Sequence, residues 1–432
     1  MNPIAEFRRT QRAVGQGGFH TASVRAPVPG GQDFRFAYDC GAMTRYADAR
    51  QREIEAYVSE LGGPGSRLDV LFLSHAHADH INGVPKLLAK GAGVKVDTVV
   101  MPLMPNAERL IAFAASVAAD PAVARDAFVR SFTLDPVAAM TAYGPRQILF
   151  IRGGDGDGGA GSLDVTPMDP PRGGEAVFSE GGGEGRMQAR LIGRGSVEVL
   201  ATGQRSGTGV AAIAIPDTSA IALPALDHSP CWLLAPYVDP GVTAGRRKFM
   251  TQLKALTGRK WTATSWGKDL GDTLKDKGGA TKLRKAYEAV GHDLNVTSLC
   301  LYSGPAQGLK GAAWREPSHW PWWGWPAAGW LSAGDSTLRK ASIGDELLRH
   351  FRALLPQVGT LVLPHHGSEN NFDAARLDAI SPALAVVAAD AYKKWRHPGS
   401  SVVQAIASRG LPMRVVTSDP RSALIERGRV WK

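Results

Sequence analysis

The chain has 432 residues, 44% of them hydrophobic, and a formal net charge of +10. That apolar content supports a large core, and three scattered cysteines (Cys40, Cys231, Cys300) without a CxxC pair exclude a disulfide framework or a zinc ribbon. No apolar run reaches the roughly 20 residues of a membrane span, and the first residues lack a signal-peptide core, so a soluble cytoplasmic protein is expected.

Short apolar strands alternate with helical patterns along the chain. In the first part, strands are expected over 19–26, 34–39, 68–74, 96–102 and 147–152, and helices over 46–61, 83–90, 105–119 and 121–131. Further on, strands are expected over 187–200, 209–215, 219–226, 231–238, 297–303, 329–334, 359–364, 384–389 and 414–418. Helices fit 246–257, 280–290, 340–354, 373–379 and 400–409. This is an α/β pattern.

Within it, residues 70–80 read Val-Leu-Phe-Leu-Ser-His-Ala-His-Ala-Asp-His. A buried strand delivers His75, His77, Asp79 and His80 at its end. Period-two alternation sends His75 and His77 to one side, and leaves Asp79 and His80 to bend toward a second site as the chain turns helical. Buried imidazoles and carboxylates need metals or hydrogen bonds to offset desolvation. The set suits two divalent ions, zinc or manganese with magnesium as an alternative, able to acidify a shared water and clamp a phosphoryl oxygen.

This segment resembles the His-x-His-x-Asp-His signature of the metallo-β-lactamase superfamily. Ala-Gly-Asp at 333–335 is similar to the family's bridging aspartate, and Leu-Val-Leu-Pro-His-His-Gly-Ser at 361–368 to its last histidine motif. The doubled histidine is the form found in the hydrolase domain of the ComEC family of DNA-uptake proteins and their free-standing relatives. Gly-Gln-Gly at 15–17, Asp-Cys-Gly at 39–41, Asn295 to Ser298, His397-Pro398 and Thr417 to Asp419 resemble further ComEC-like elements, in the family's order. The resemblance implies one αββα sandwich spanning residues 1–432 with insertions, and a metal-dependent hydrolase using hydroxide activated by two metals.

It also implies roles. His75 and His77 take the first ion, Asp79 and His80 the second, Asp335 bridges, and His366 is the last ligand. Asp79 is thereby catalytic, while His365 is left to donate a proton or contact phosphate, and His397 either reaches in as a second donor or caps its loop. The superfamily's usual third histidine has no clear match. His228 is a candidate by position, and Asn295 and Ser298 stand there in the ComEC-like pattern, as metal or substrate groups. His20, His292, His319 and His350 read as structural or surface residues.

Four segments interrupt the core. Residues 104–146 form a helical insertion, a lid or a dimer surface. The loop at 153–186 is Gly-rich, with seven acidic residues against two arginines, and matches no phosphate-loop spacing. It is expected to be a flexible protease target, either passive or a competitor for the basic surface. The insertion at 240–294 holds twelve Lys or Arg and three Asp between Arg246 and Lys285, a balance of +9. It is either a solvated helical hairpin or a nucleic-acid footprint, with Arg246, Arg247, Lys248, Lys282, Arg284 and Lys285 as contacts. The hairpin insertion at 305–330 carries six of the eleven tryptophans, as a base-stacking surface, a packed subcore or a membrane-interface anchor. Nucleic acid, DNA foremost, is therefore the expected partner, and the expected function is a DNA endonuclease, in salvage or as a regulated effector in defence against phage or plasmids. The alternatives are a hydrolase of a small ester, lactone or phosphodiester metabolite, and a scaffold that binds nucleic acid without catalysis.

Overall fold

The computed structural model describes residues 2–154, 168, 187–201, 210–238, 243–262, 264–290, 297–316, 326–392 and 395–432. The acidic loop of 153–186 therefore lies almost wholly outside the described residues, as do Trp320, Trp322, Trp323 and Trp325, and His292 and His319.

The strands, in chain order, are β1 (Ala5–Gln11), β2 (His20–Arg25), β3 (Phe34–Tyr38), β4 (Arg67–Phe72), β5 (Lys95–Pro102) and β6 (Gln147–Arg152). They continue as β7 (Arg190–Gly193), β8 (Glu198–Ala201), β9 (Ala211–Pro216), β10 (Ser219–Pro224), β11 (Pro230–Val238) and β12 (Leu299–Pro305). The last are β13 (Lys310–Glu316), β14 (Gly329–Ser332), β15 (Val358–Val362), β16 (Leu384–Ala388), β17 (Met413–Val416) and β18 (Leu424–Trp431). They form a 10-stranded sheet ordered β13-β18-β1-β2-β3-β4-β5-β6-β9-β8 and an 8-stranded sheet ordered β17-β16-β15-β14-β12-β11-β10-β7.

The helices are α1 (Ala47–Glu60), α2 (Ala78–Ile81), α3 (Val84–Leu87), α4 (Asn106–Ala119), α5 (Ala127–Leu134) and α6 (Pro136–Thr141). They go on to α7 (Thr243–Thr257), α8 (Trp266–Lys275), α9 (Gly279–Glu288), α10 (Ala341–His350), α11 (Ala374–Ile380) and α12 (Ser400–Ala407). Phe36, Phe72, Trp232 and Trp330 pack between the sheets, whereas α1 and α4 cover the outer face of the larger sheet and α10 to α12 that of the smaller. The layers are α, β, β, α, as the fold class expected from sequence requires.

β3 to β6 and β9 run parallel, as do β14 to β17, and parallel strands buried on both faces read as continuous apolar runs. Their carboxyl ends share one edge, the usual place for a site in such sheets. β4 ends there just before Ser74, β14 just before Asp335 and β15 just before His365.

The structure departs from the expected elements in three places. β1, β13 and β18 form an antiparallel margin to the larger sheet, so the start of the tryptophan-rich segment is a strand of the core. Trp330, at the segment's other end, is buried between the sheets. The single strand expected over 187–200 divides, β7 joining one sheet and β8 the other. The basic segment is also no solvated hairpin: Phe249, Leu253, Trp261, Trp266, Leu270 and Leu283 from α7 to α9 share a core with α4. α8 carries Gly267 and Gly271, which weaken a helical reading, and packing of Trp266 and Leu270 overrides that propensity.

Candidate metal centre

After β4 the chain runs through Ser74 and His75 to α2, whose first amide, at Ala78, donates to Ser116 Oγ of α4 at 3.0 Å. This pins the turn that carries His77, Asp79 and His80. Gly41 lies beneath it, where a Cβ would stand 2.5 Å from the carbonyl carbon of Asp79, so the Asp-Cys-Gly motif is a packing requirement.

Two clusters of candidate ligand atoms result. His75, His77 and Asp335 offer atoms within 4.8 Å of one another, and so do Asp79, His80 and His366. His75 Nε2 and His77 Nδ1 each lie 3.2 Å from Asp335 Oδ2, and His80 Nε2 lies 3.5 Å from Asp335 Oδ1. The carboxylate of Asp335 thus faces both clusters. His366 Nε2 is 3.4 Å from Asp79 Oδ2.

Neighbours fix which nitrogen of three rings is free. Asp39 Oδ2 accepts from His80 Nδ1 at 2.7 Å, Ser74 Oγ from His75 Nδ1 at 2.7 Å, and Ala388 O from His366 Nδ1 at 2.8 Å. Ser74 Oγ in turn donates to Asp39 at 2.7 Å. Each ring therefore keeps Nδ1 engaged by its neighbour and turns Nε2 inward, the orientation a metal ligand needs. His80 Nε2 and Asp335 Oδ1 are buried without a hydrogen-bond partner, a costly arrangement that divalent ions would relieve. The nitrogen and oxygen donors, with no thiolate among them, fit zinc or manganese.

Electrostatics support the same grouping. Burial opposes charge on His80, but Asp39, Asp335 and Asp79 outweigh it and push the imidazolium up to about 10. Burial, reinforced by the charge of His80, lowers His75 to about 4. Burial raises the carboxyls of Asp79 and Asp335, yet the surrounding histidines, His80 for Asp79 and His365 for Asp335, hold both well below the usual range.

The doubled histidine presents its two rings differently. His365 and His366 both adopt left-handed backbone (φ 47° and 56°), which L residues take at a cost of roughly 1–3 kcal/mol each. His365 N donates to Gly334 O at 3.0 Å, tying this turn to the Asp335 turn. His366 is buried against Asp79, whereas the His365 side chain is 38% exposed with Nδ1 3.4 Å from Asp335 Oδ2. His397 lies beside it, ring centroids 6.4 Å apart, with Nδ1 buried and unpartnered. Burial, then the neighbouring His366 and His365, lower its basicity to about 4.

Other expected site residues are placed elsewhere. His228 sits exposed in the turn between β10 and β11, and because β11 pairs Val238 with Leu299, its Pro230 end is the one remote from the clusters. At about 3.3 Å per residue the nine residues of β11 separate His228 from the site, so it is not brought to either cluster. Asn295 lies outside the described residues. Ser298 is buried and its Oγ accepts from Asp335 N at 3.1 Å, supporting that turn. His350 is buried and its Nε2 donates to Pro236 O. His20 is buried as well, stacked 4.0 Å from Trp330, with neither ring nitrogen partnered, beside a cavity of about 40 Å³ that reaches Asp39 and Asp335.

Among the six cations expected to meet nucleic acid, three are engaged. Arg246 pairs with Glu108 of α4 at 3.3 Å, Lys282 with Asp276 at 3.8 Å and Arg284 with Glu288 at 3.6 Å. Arg247, Lys248 and Lys285 are exposed and carry no ion pair among the described residues. Asp39 enters the sequence only as a letter of the Asp-Cys-Gly motif, whereas the structure places its carboxylate behind His80. Its signal is an acidic residue ending a buried strand, the same signal that marks Asp335.

Residues 31–183 match the family model described as the metallo-beta-lactamase superfamily. Among solved structures, the chain is similar to a long form RNase Z from yeast, with 9% identity and a TM-score of 0.28, over 83% of this chain and 32% of that one. The chain thus spans about a third of that protein's length. No curated protein matches it.

Proposed function

On the premise that the chain carries a metallo-β-lactamase superfamily domain over 31–183, we propose that it is a metal-dependent hydrolase of nucleic-acid phosphodiesters, with DNA as substrate and internal cleavage as the mode. The observation that carries this reading is the pair of buried triads, His75, His77, Asp335 and Asp79, His80, His366, faced by one carboxylate. Divalent ions held there would acidify water and draw charge from a phosphoryl oxygen.

The chain's own residues supply the rest. Asp39 and Ser74 orient His80 and His75, and the backbone amide of Asp335 is held by Ser298. His365, half-exposed beside Asp335, is the group that can reach a bound substrate, and it donates a proton to the departing sugar oxygen or a hydrogen bond to phosphate. His397, unpartnered at Nδ1, either shares that task or orients His365. Exposed Arg247, Lys248 and Lys285 lie on helices docked against α4, the helix that braces the metal turn, so a polyanion drawn to them is brought to this side of the molecule. No helix among the described residues is long and apolar enough to cross a membrane.

The test is a panel of plasmid DNA, single-stranded DNA and RNA, incubated with protein and manganese, zinc or magnesium. Nicked and linear plasmid, absent when EDTA is added, is the expected product. Turnover of a lactone or thioester with every polynucleotide left intact would replace this reading by the small-ester alternative.

A further inference from the structure

The rim of the candidate metal centre carries an aromatic residue that is partly exposed. Trp395 is 37% exposed, the one aromatic ring among the exposed large apolar side chains of the described residues. A chain of rings connects it to the centre: Trp395 to His397 is 6.4 Å between centroids, His397 to His365 is 6.4 Å, and His365 Nδ1 stands 3.4 Å from Asp335. The indole is thus two ring-to-ring steps from His365, which borders Asp335.

Its loop is fastened on both sides. Tyr392 is buried, with its hydroxyl donating to Ala119 O at the end of α4 at 3.1 Å, and Trp395 N donates to Tyr392 O at 2.9 Å. Beyond His397, Gly399 N donates to Gly367 O at 3.0 Å, joining the loop to the doubled-histidine turn. The anchored loop holds the part-exposed indole in a fixed place against Tyr392, a preorganised surface for a flat partner.

Cations stand beside it. Arg396 is exposed with no ion pair among the described residues, and so is Arg45, on the turn whose Tyr46 hydroxyl donates to Ala391 O. The nearby carboxylates are already engaged: Glu369 accepts from Ser401 N and Ser400 Oγ, and Asp390 from Ser418. A part-exposed ring next to the unpaired guanidinium of Arg396 fits a nucleobase followed by its phosphate, whereas a small ester offers nothing for either.

We propose that Trp395 is a stacking platform for an unpaired base next to the cleaved phosphodiester, with Arg396 holding the adjacent phosphate, so that the site selects single-stranded or locally melted nucleic acid. This rests on the phosphodiesterase reading for its position relative to the cleaved bond, but base stacking itself is measured separately. A paired base has both faces covered and cannot stack on the indole, which gives the selection its physical origin.

The experiment measures binding by fluorescence anisotropy, with the metal-loaded full chain at 4 °C and a labelled single-stranded DNA 12-mer, the corresponding duplex and an abasic 12-mer, integrity being followed on gels. The expected result is that Trp395→Ala weakens single-strand binding between about 5- and 150-fold, the loss of one stacked base, and leaves abasic binding unchanged. Trp395→Phe retains most of the affinity, and Arg396→Ala weakens normal and abasic strands alike. Should wild-type protein bind the abasic strand as tightly as the normal one, or Trp395→Ala bind like wild type, the platform is refuted and Trp395 is only packing against Tyr392. Loss of base-dependent affinity in Trp395→Ala while no strand is ever cut upholds the platform and removes the phosphodiesterase reading.

Discussion

Asp39 Oδ2 stands 2.7 Å from His80 Nδ1, a carboxylate behind an imidazole whose other nitrogen, Nε2, faces Asp335 from a buried position with no protein partner. This contact decides which lone pair the ring presents. It predicts that Asp39→Asn, which keeps the shape and removes the charge, weakens binding of the metal at the Asp79, His80 and His366 cluster by about 10–100-fold. Competition with a chromophoric chelator measures it, and unchanged affinity would mean that His80 needs no orienting carboxylate.

The two histidines of Pro364 to Gly367 should separate in their effects, since His366 is buried against Asp79 and His365 faces outward beside Asp335. His366→Ala is expected to lose about one metal equivalent by elemental analysis. His365→Ala keeps its metal and loses rate, by about 100-fold if the ring protonates the leaving group. Equal metal loss in both variants would make His365 a ligand instead.

The basic helices yield a prediction that bulk charge does not. Replacing Arg247, Lys248 and Lys285 by Gln should lower the slope of log affinity against log salt by up to about 0.9 for each cation that meets duplex phosphate. The same change at Arg246, Lys282 and Arg284 should alter that slope less, because those cations already face carboxylates. Arg246→Gln should instead loosen α7 from α4, lowering stability by at most about 1 kcal/mol for a pair this exposed. Equal slopes in the two triple variants would place the nucleic acid on another face.

His20 predicts a pH dependence of folding. Burial, then the charges of Arg9 and Arg12, hold its basicity well below 6.5 in the folded protein. The unfolded chain therefore binds a proton that the folded one refuses, so the contribution of His20 is full above about pH 6.5 and is lost as pH falls below it. His20→Phe keeps a ring against Trp330 and cannot titrate. Urea denaturation in EDTA should show a shallower loss of stability below pH 6.5 for the variant than for wild type, and parallel curves would remove His20 as a contributor.

Much of this architecture is legible in the sequence wherever a local pattern and its burial agree. The apolar run before Ser74 and the periodicity of α1, α4 and α12 each state a strand or a helix within a few residues. The margin β13-β18-β1 is not legible, because Phe7, Arg8 and Arg9 alternate weakly and the partners are over 400 residues apart in the chain. The convergence of the candidate ligands is partly legible. His75 to His80 announce themselves by spacing, while Asp39 and Ser74 act through the hydrogen bonds they make, which no spacing encodes. Net charge over 246–285 likewise conceals which cations are neutralised, since Glu108 lies 138 positions from Arg246.

The proposed hydrolysis depends on Asp335, between His75 and His77 on one side and His80 on the other, joining the two clusters into a single unit. Metal titration of the metal-free protein with manganese, followed by hydrolysis of bis-p-nitrophenyl phosphate, tests it most directly. Turnover is expected to reach its plateau at two equivalents per chain, with a folded Asp335→Ala variant slower by on the order of 100-fold or more. A plateau at one equivalent, or near-normal turnover in the folded variant, would contradict it.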